Sequence, residues 1–279
     1  MTEKAKYANI NAALTIAKKQ IRIATRYKLQ VVFWGVAPVL WVIPIILTGL
    51  AISGGASNEF LKSTVGTGNF IDYVIIGTII YSYMGSTIWA MGNSLRWEQY
   101  SGTLETLYLA PVSRLNILLG SSLSQSVIAT LQAMIQFMIF SLFFNIVFPF
   151  SKVVVVAFLV LLMVIGLYGF AFFLAAIIIF LKDPDILNDF IDKFFYLVTP
   201  INYPLEAIPS VLRIFGLLIP LTYTIIGARA ILIGVNSIFA LWQIIVILVG
   251  LAAILWASGY LVFKVAEQWT KKKGKLSAY

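Results

Sequence analysis

The chain has 279 residues, of which 61% are hydrophobic and only 11% charged, with a net charge of +9 and a mean hydropathy of +0.95. Soluble domains run at about 45–50% apolar and about 25% charged, so most of this chain is expected to be solvated by lipid. It holds no His and no Cys, which excludes Ser-His and Cys-His nucleophile pairs, HExxH zinc sites, disulfides and thiolate chemistry.

Residues 8–28 come first. Ile10, Leu14, Ala17, Ile21 and Ala24 recur at spacings of four and three, one face of a helix. Lys18, Arg22 and Arg26 recur every four residues on another face. That pattern predicts an amphipathic helix lying on the cytoplasmic leaflet. Charge-free runs then mark the spans: 29–58, 73–95, 115–151, 153–181 and 230–263. Each exceeds the roughly 20 residues needed to cross hydrocarbon. The run from Leu29 is too long for a secretory signal, and further spans follow.

Between the second and third runs lies a hydrophilic segment, 97–113, that reads as structured. Ser101 or Thr103 can cap a short helix, Glu105 falls in its first turn, and Pro111 stops it. Leu104, Leu107 and Tyr108 share one face, so the helix suits either docking of a cytoplasmic partner or packing on its own chain.

The stretch 182–236 is broken by Pro200, Pro204, Pro209 and Pro220. Parity resolves it. Seven Lys/Arg precede the first span and five follow the last, so the positive-inside rule places both termini in the cytoplasm. Five spans then need an odd number of crossings within 182–236. One helix near 188–206 fits, followed by outer re-entrant helices over 207–235, with Glu206, Arg213 and Arg229 near the outer surface. This arrangement puts 16 Lys/Arg inside and 4 outside, so the positive charge is a topology signal and not a nucleic-acid surface. Trp34, Trp89, Trp97 and Trp269 fall near the cytoplasmic boundary, whereas Trp41 is expected to face another helix.

The predicted fold is an all-α integral membrane protein with six spans, at about 29–52, 73–95, 115–148, 153–181, 188–206 and 237–263. An interfacial helix precedes them, and 1–279 form a single domain.

At Glu98-Gln-Tyr-Ser-Gly-Thr-Leu-Glu105, Ala110-Pro-Val-Ser-Arg114 and Leu118-Leu-Gly120 the sequence resembles the ABC type-2 permeases, the membrane subunits of ATP-driven exporters. Lys182-Asp183, Thr199-Pro-Ile-Asn-Tyr-Pro204, Ile208-Pro209, Ile219-Pro-Leu-Thr222, Arg229 and Gly234 extend the likeness over nearly the whole chain. The resemblance implies that 97–113 is a cytoplasmic coupling helix seated in a separate ATPase, with Glu98, Ser101, Gly102, Thr103, Glu105 and Arg114 as the coupling positions. It also implies two permeases and two ATPases per complex, in a plasma membrane, with spans two and five lining the path. Tyr81, Met84, Ile88, Asn93, Phe195, Thr199 and Tyr203 are then candidate liners, and Pro204, Pro209, Pro220 and Arg229 belong to an outer gate. No GxxxxGK[ST] occurs, so ATP and Mg are expected on the partner and no cofactor on this chain. The Ser-Gly-Thr-Leu-Glu form of the loop is similar to the drug-resistance branch, which implies an amphiphilic drug or lipid-like cargo. A polysaccharide, teichoic-acid or lipid-linked glycan exporter is the alternative within the family.

An ion-coupled secondary transporter is the rival from outside it. Such carriers hold an ionisable group deep in the bilayer, and the five clear spans have none. Asp183 and Asp185 are the one candidate carboxylate pair for an enzyme, and Asp-Pro-Asp is equally good helix-start chemistry.

Overall fold

The computed structural model describes residues 10–55, 58–100, 102, 114–178 and 184–273. Ten α-helices are found among them: α1 (Ile10–Arg26), α2 (Lys28–Ser53), α3 (Glu59–Val65), α4 (Phe70–Tyr100), α5 (Arg114–Phe144), α6 (Phe150–Ile178), α7 (Pro184–Val198), α8 (Ser210–Leu217), α9 (Pro220–Ile233) and α10 (Leu241–Lys273). A single 3-10 turn covers Leu205–Ala207. The chain is an all-α integral membrane protein. Helices α2, α4, α5, α6 and α10 are long and apolar enough to cross a bilayer, while α8 and α9 form a pair bent by 90°.

The predicted fifth span departs from expectation. Helix α7 starts before Asn188 and stops at Val198, so it does not continue to 206, and 199–204 form no helix. Pro200 explains the stop, because it has no N–H to continue the ladder and bars the helical conformation at Thr199. At 1.5 Å per residue, the 15 residues of α7 span about 22 Å, short of a hydrocarbon core of about 30 Å.

Helix α4 differs in the other direction. It runs on through Trp97–Tyr100, which the sequence places in the loop, because no proline interrupts the segment. Helix α3 was not foreseen at all. Asn58 caps it by accepting from the Leu61 N–H at 3.0 Å, and Gly66 closes it at φ 79°.

The connections sort to two ends. At one, the Asn236 N–H donates to the Val65 carbonyl at 2.9 Å, and Lys152 Nζ to the Leu232 carbonyl at 3.5 Å. That gathers α3, the α5–α6 joint and the loop after α9. At the other end α1 lies on the start of α5. A Cβ at Gly120 would stand 2.7 Å from the Ala13 carbonyl, and Gln20 Nε2 donates to Ser121 Oγ at 3.0 Å. A buried cluster of Leu118, Phe172, Ala176, Phe263 and Ala266 brings the end of α10 close by. Both ends of the described chain therefore share one end of the bundle.

Helix α1 buries Ala13 and Ala17 and leaves Lys18, Arg22 and Arg26 outward. Leu14, assigned to the apolar face, sits at its edge and is exposed. Trp41 is 80% exposed on this chain.

Candidate functional site

Arg229 lies in the third turn of α9, among apolar neighbours. It was expected toward the outer side of the membrane, and it is 1% exposed, enclosed by the chain. A bare guanidinium in such a place is costly unless hydrogen bonds replace its water. Here main-chain carbonyls do so. Nε and Nη2 donate to the Tyr73 carbonyl at 3.0 and 2.8 Å, Nη1 to that of Pro200 at 2.6 Å, and Nη2 to that of Ile201 at 2.5 Å. The guanidinium also lies over the Tyr73 ring, its carbon 3.4 Å from the centroid.

The acceptors exist because the chain leaves the helix after Val198. Unwinding at Pro200 frees the carbonyls of Pro200 and Ile201, and the arginine takes them up. Close approach to α4 needs Gly77, where a Cβ would stand 2.1 Å from the Ile201 oxygen. Three separate segments, α4, the break at 199–204 and α9, are thus joined by one side chain. Beside it, Glu206, Asn236, Tyr73 and Arg229 line a pocket of about 20 Å³, room for a single water.

The bend between α8 and α9 is fixed against the end of α7 in the same manner. A Cβ at Gly216 would stand 2.1 Å from the Val198 oxygen. Thr222 Oγ1 donates to the Gly216 carbonyl at 2.6 Å, and the Tyr223 hydroxyl to that of Leu217 at 2.9 Å. Arg213 Nη2 reaches the carbonyls of Glu206 and Ile208 at 2.9 and 3.0 Å. Pro204 and Pro209 stand just before the 3-10 turn and α8, and Pro220 opens α9 at its first position, where a missing N–H costs nothing.

Of the sequence-predicted liners, Met84, Ile88 and Phe195 share one buried cluster, against which Tyr81 packs. Thr199 is fully buried, its hydroxyl bonded to the Phe195 carbonyl at 2.6 Å. Tyr203 donates to the Leu197 carbonyl at 2.5 Å. Asn93 belongs to α4, with its side chain outside the described residues. Of the coupling positions, Ser101, Thr103 and Glu105 lie outside the described residues, as do the side chains of Glu98 and Arg114. Gly102 is described, exposed and at φ 66°.

Sequence reasoning missed Tyr73, Gly77 and Gly216. Tyr73 acts through its ring and its carbonyl, neither of which a charge or hydropathy count registers. A glycine facing a proline break was the available signal for the other two.

The family model for ABC-2 type transporters matches residues 12–233, from the first turn of α1 to the end of α9. The "Putative transport permease ycf38" of Cyanophora paradoxa is 30% identical over 168 residues, 56% of this chain. The chain spans about half the length of that relative, 54%. With the match covering well over half of the chain, this protein belongs to the ABC-2 type transporter family as a membrane permease.

Proposed function

We propose that this chain is the membrane subunit of an ATP-driven exporter, working as a pair of copies with two cytoplasmic ATPase chains that carry ATP and Mg. The observation that carries the reading is α4. It is one 31-residue helix, about 46 Å long at 1.5 Å per residue, with no break between the Arg229 cluster and the residues before Gly102. A push on the segment 97–113 by a partner would be delivered along this rod to the carbonyls that hold the outer break. A partner can shift such an equilibrium only by its differential affinity for the two states, so the ATPase must grip the segment differently with and without nucleotide.

The Lys/Arg distribution, 16 against 4, supports a plasma-membrane orientation with both termini cytoplasmic, as does the position of α1 and the end of α10 at one end of the bundle. The cargo is an amphiphilic drug or lipid-like molecule. It moves along a path between the two copies past α4 and α7, and Pro204, Pro209, Pro220 and Arg229 form the outer gate.

The test is purification from native membranes followed by an ATPase assay of what accompanies the chain. A stoichiometric nucleotide-binding subunit is expected. Glu105→Arg should leave a folded permease whose ATP-driven transport falls at least tenfold. A chain that purifies alone and moves solute in liposomes without ATP would contradict the proposal.

A further inference from the structure

The apolar face of α1 is taken up inside the protein. Ala13 and Ala17 are buried, and Ile16 lies against α5, where a Cβ at Gly120 would stand 2.8 Å from the Ile16 Cβ. Gln20 then fixes the roll of the helix: its Nε2 donates to Ser121 Oγ at 3.0 Å, and its Oε1 accepts from Ser124 Oγ. An amphipathic helix ordinarily binds a bilayer by sinking its apolar face into it. Here α5 occupies that face, and what α1 turns outward is mostly charge.

Lys18, Arg22 and Arg26 are exposed and stand one turn apart, a row about 12 Å long at 1.5 Å per residue. No Asp or Glu occurs between Glu3 and Glu59, so neither α1 nor α2 supplies a counter-charge. The surroundings of the row are those of a bilayer boundary. Helix α1 passes into α2 through the single residue Tyr27, and α2 is long and apolar enough to cross. Leu14 and Ile23 are exposed on the flanks of the row, and Tyr27, Leu29 and Trp34 are exposed where it meets α2. A soluble subunit seated on the charges would leave those apolar side chains in water, whereas a headgroup layer takes basic tips and amphipathic rings together.

We infer that Lys18, Arg22 and Arg26 hold the phosphates of acidic phospholipids in the leaflet beside α1, and select them over zwitterionic lipids. With the apolar face of the helix engaged by α5, the attraction is chiefly electrostatic, and such attraction discriminates by net headgroup charge. The two guanidinium forks match phosphate oxygens bidentately, and the ammonium adds a point charge. The Gln20 bonds keep the row from rolling away from the headgroups. This inference needs only a chain that sits in a membrane, and it does not rest on the exporter reading.

The test exploits a chain without cysteine. Thr15, exposed and one turn before Lys18, is replaced by Cys and carries a fluorophore on the full chain in phosphatidylcholine liposomes. Nitroxide-labelled phosphatidylglycerol or phosphatidylcholine is then titrated in, and the ratio of quenching gives the local preference. A preference of about fivefold or more for phosphatidylglycerol is expected, since one basic side chain near the surface supplies about that factor. It should vanish in the combined Lys18→Gln, Arg22→Gln, Arg26→Gln variant and survive in Arg22→Lys, Arg26→Lys and in Lys152→Gln. Raising salt to about 1 M, where the Debye length is about 3 Å, should abolish it without any substitution, which serves if the triple variant is not monodisperse. Equal quenching by the two lipids, or a preference that persists in the triple variant or in high salt, overturns the inference. Equal quenching that is lost only when a co-purifying ATPase is present would assign the row to that subunit instead.

Discussion

Among the close helix contacts of the described residues, two are made by opposite means. Helices α6 and α10 touch backbone to backbone: a Cβ at Gly259 would stand 2.1 Å from the Gly169 oxygen, and Trp256 Nε1 donates to the Ile165 carbonyl at 2.6 Å. Small residues let the two surfaces meet along their length, the usual way of packing helices in lipid where no hydrophobic force draws them together. At the seam of α4, α7 and α9 the contact is just as close, at Gly77, yet it depends on a single cation distributed over three carbonyls. The first kind of contact is spread over many weak parts. The second can be undone by moving one side chain, which is what a gate requires.

Breaking this contrast begins with Arg229→Met. It leaves the carbonyls of Pro200 and Ile201 unpaired, at roughly 1–3 kcal/mol each. A drop in thermal midpoint and loss of ATP-driven transport are both expected, the first by scanning fluorimetry and the second in proteoliposomes with the ATPase. Arg229→Lys keeps the charge without the fork and should fall between.

Gly77→Val attacks the same seam without touching a polar group, by forcing the Ile201 carbonyl away. Overpacking of this kind costs about 1–3 kcal/mol, and transport should fall along with stability. Gly259→Val is its counterpart at the α6–α10 crossing. A similar loss of stability is expected there, but the folded fraction should retain its coupling. If both glycine variants lost transport per folded molecule equally, the two contacts would not differ in kind.

Gln136→Leu sharpens the comparison from the small end. Its Oε1 accepts from Ser82 Oγ at 3.1 Å while its buried Nε2 has no acceptor. Losing a bond worth about 0.6 kcal/mol in a membrane is offset by losing an orphaned donor, so the thermal midpoint should barely move.

The long helices were legible because lipid makes a simple demand: runs without charge, bounded by charge, and a Lys/Arg bias. Charge-free runs contain the apolar cores of α2, α4, α5, α6 and α10. The broken region was located by its prolines, but its internal order was not. Hydropathy alone extends the fifth helix to 206, whereas Pro200 ends it at Val198. The burial of Arg229 was not legible, because a sequence count cannot see carbonyls supplied by a segment 28 residues away.

The central claim is that Arg229 holds the broken segment shut against α4. Because the native chain has no cysteine, it can be tested with a single one. Ile201, 1% exposed beneath the clamp, is replaced by Cys in nanodisc-embedded protein and treated with a membrane-impermeant maleimide. The account expects no labelling while Arg229 is present and rapid labelling in the Arg229→Met background. Equal labelling in the two backgrounds, whether full or absent, would contradict it.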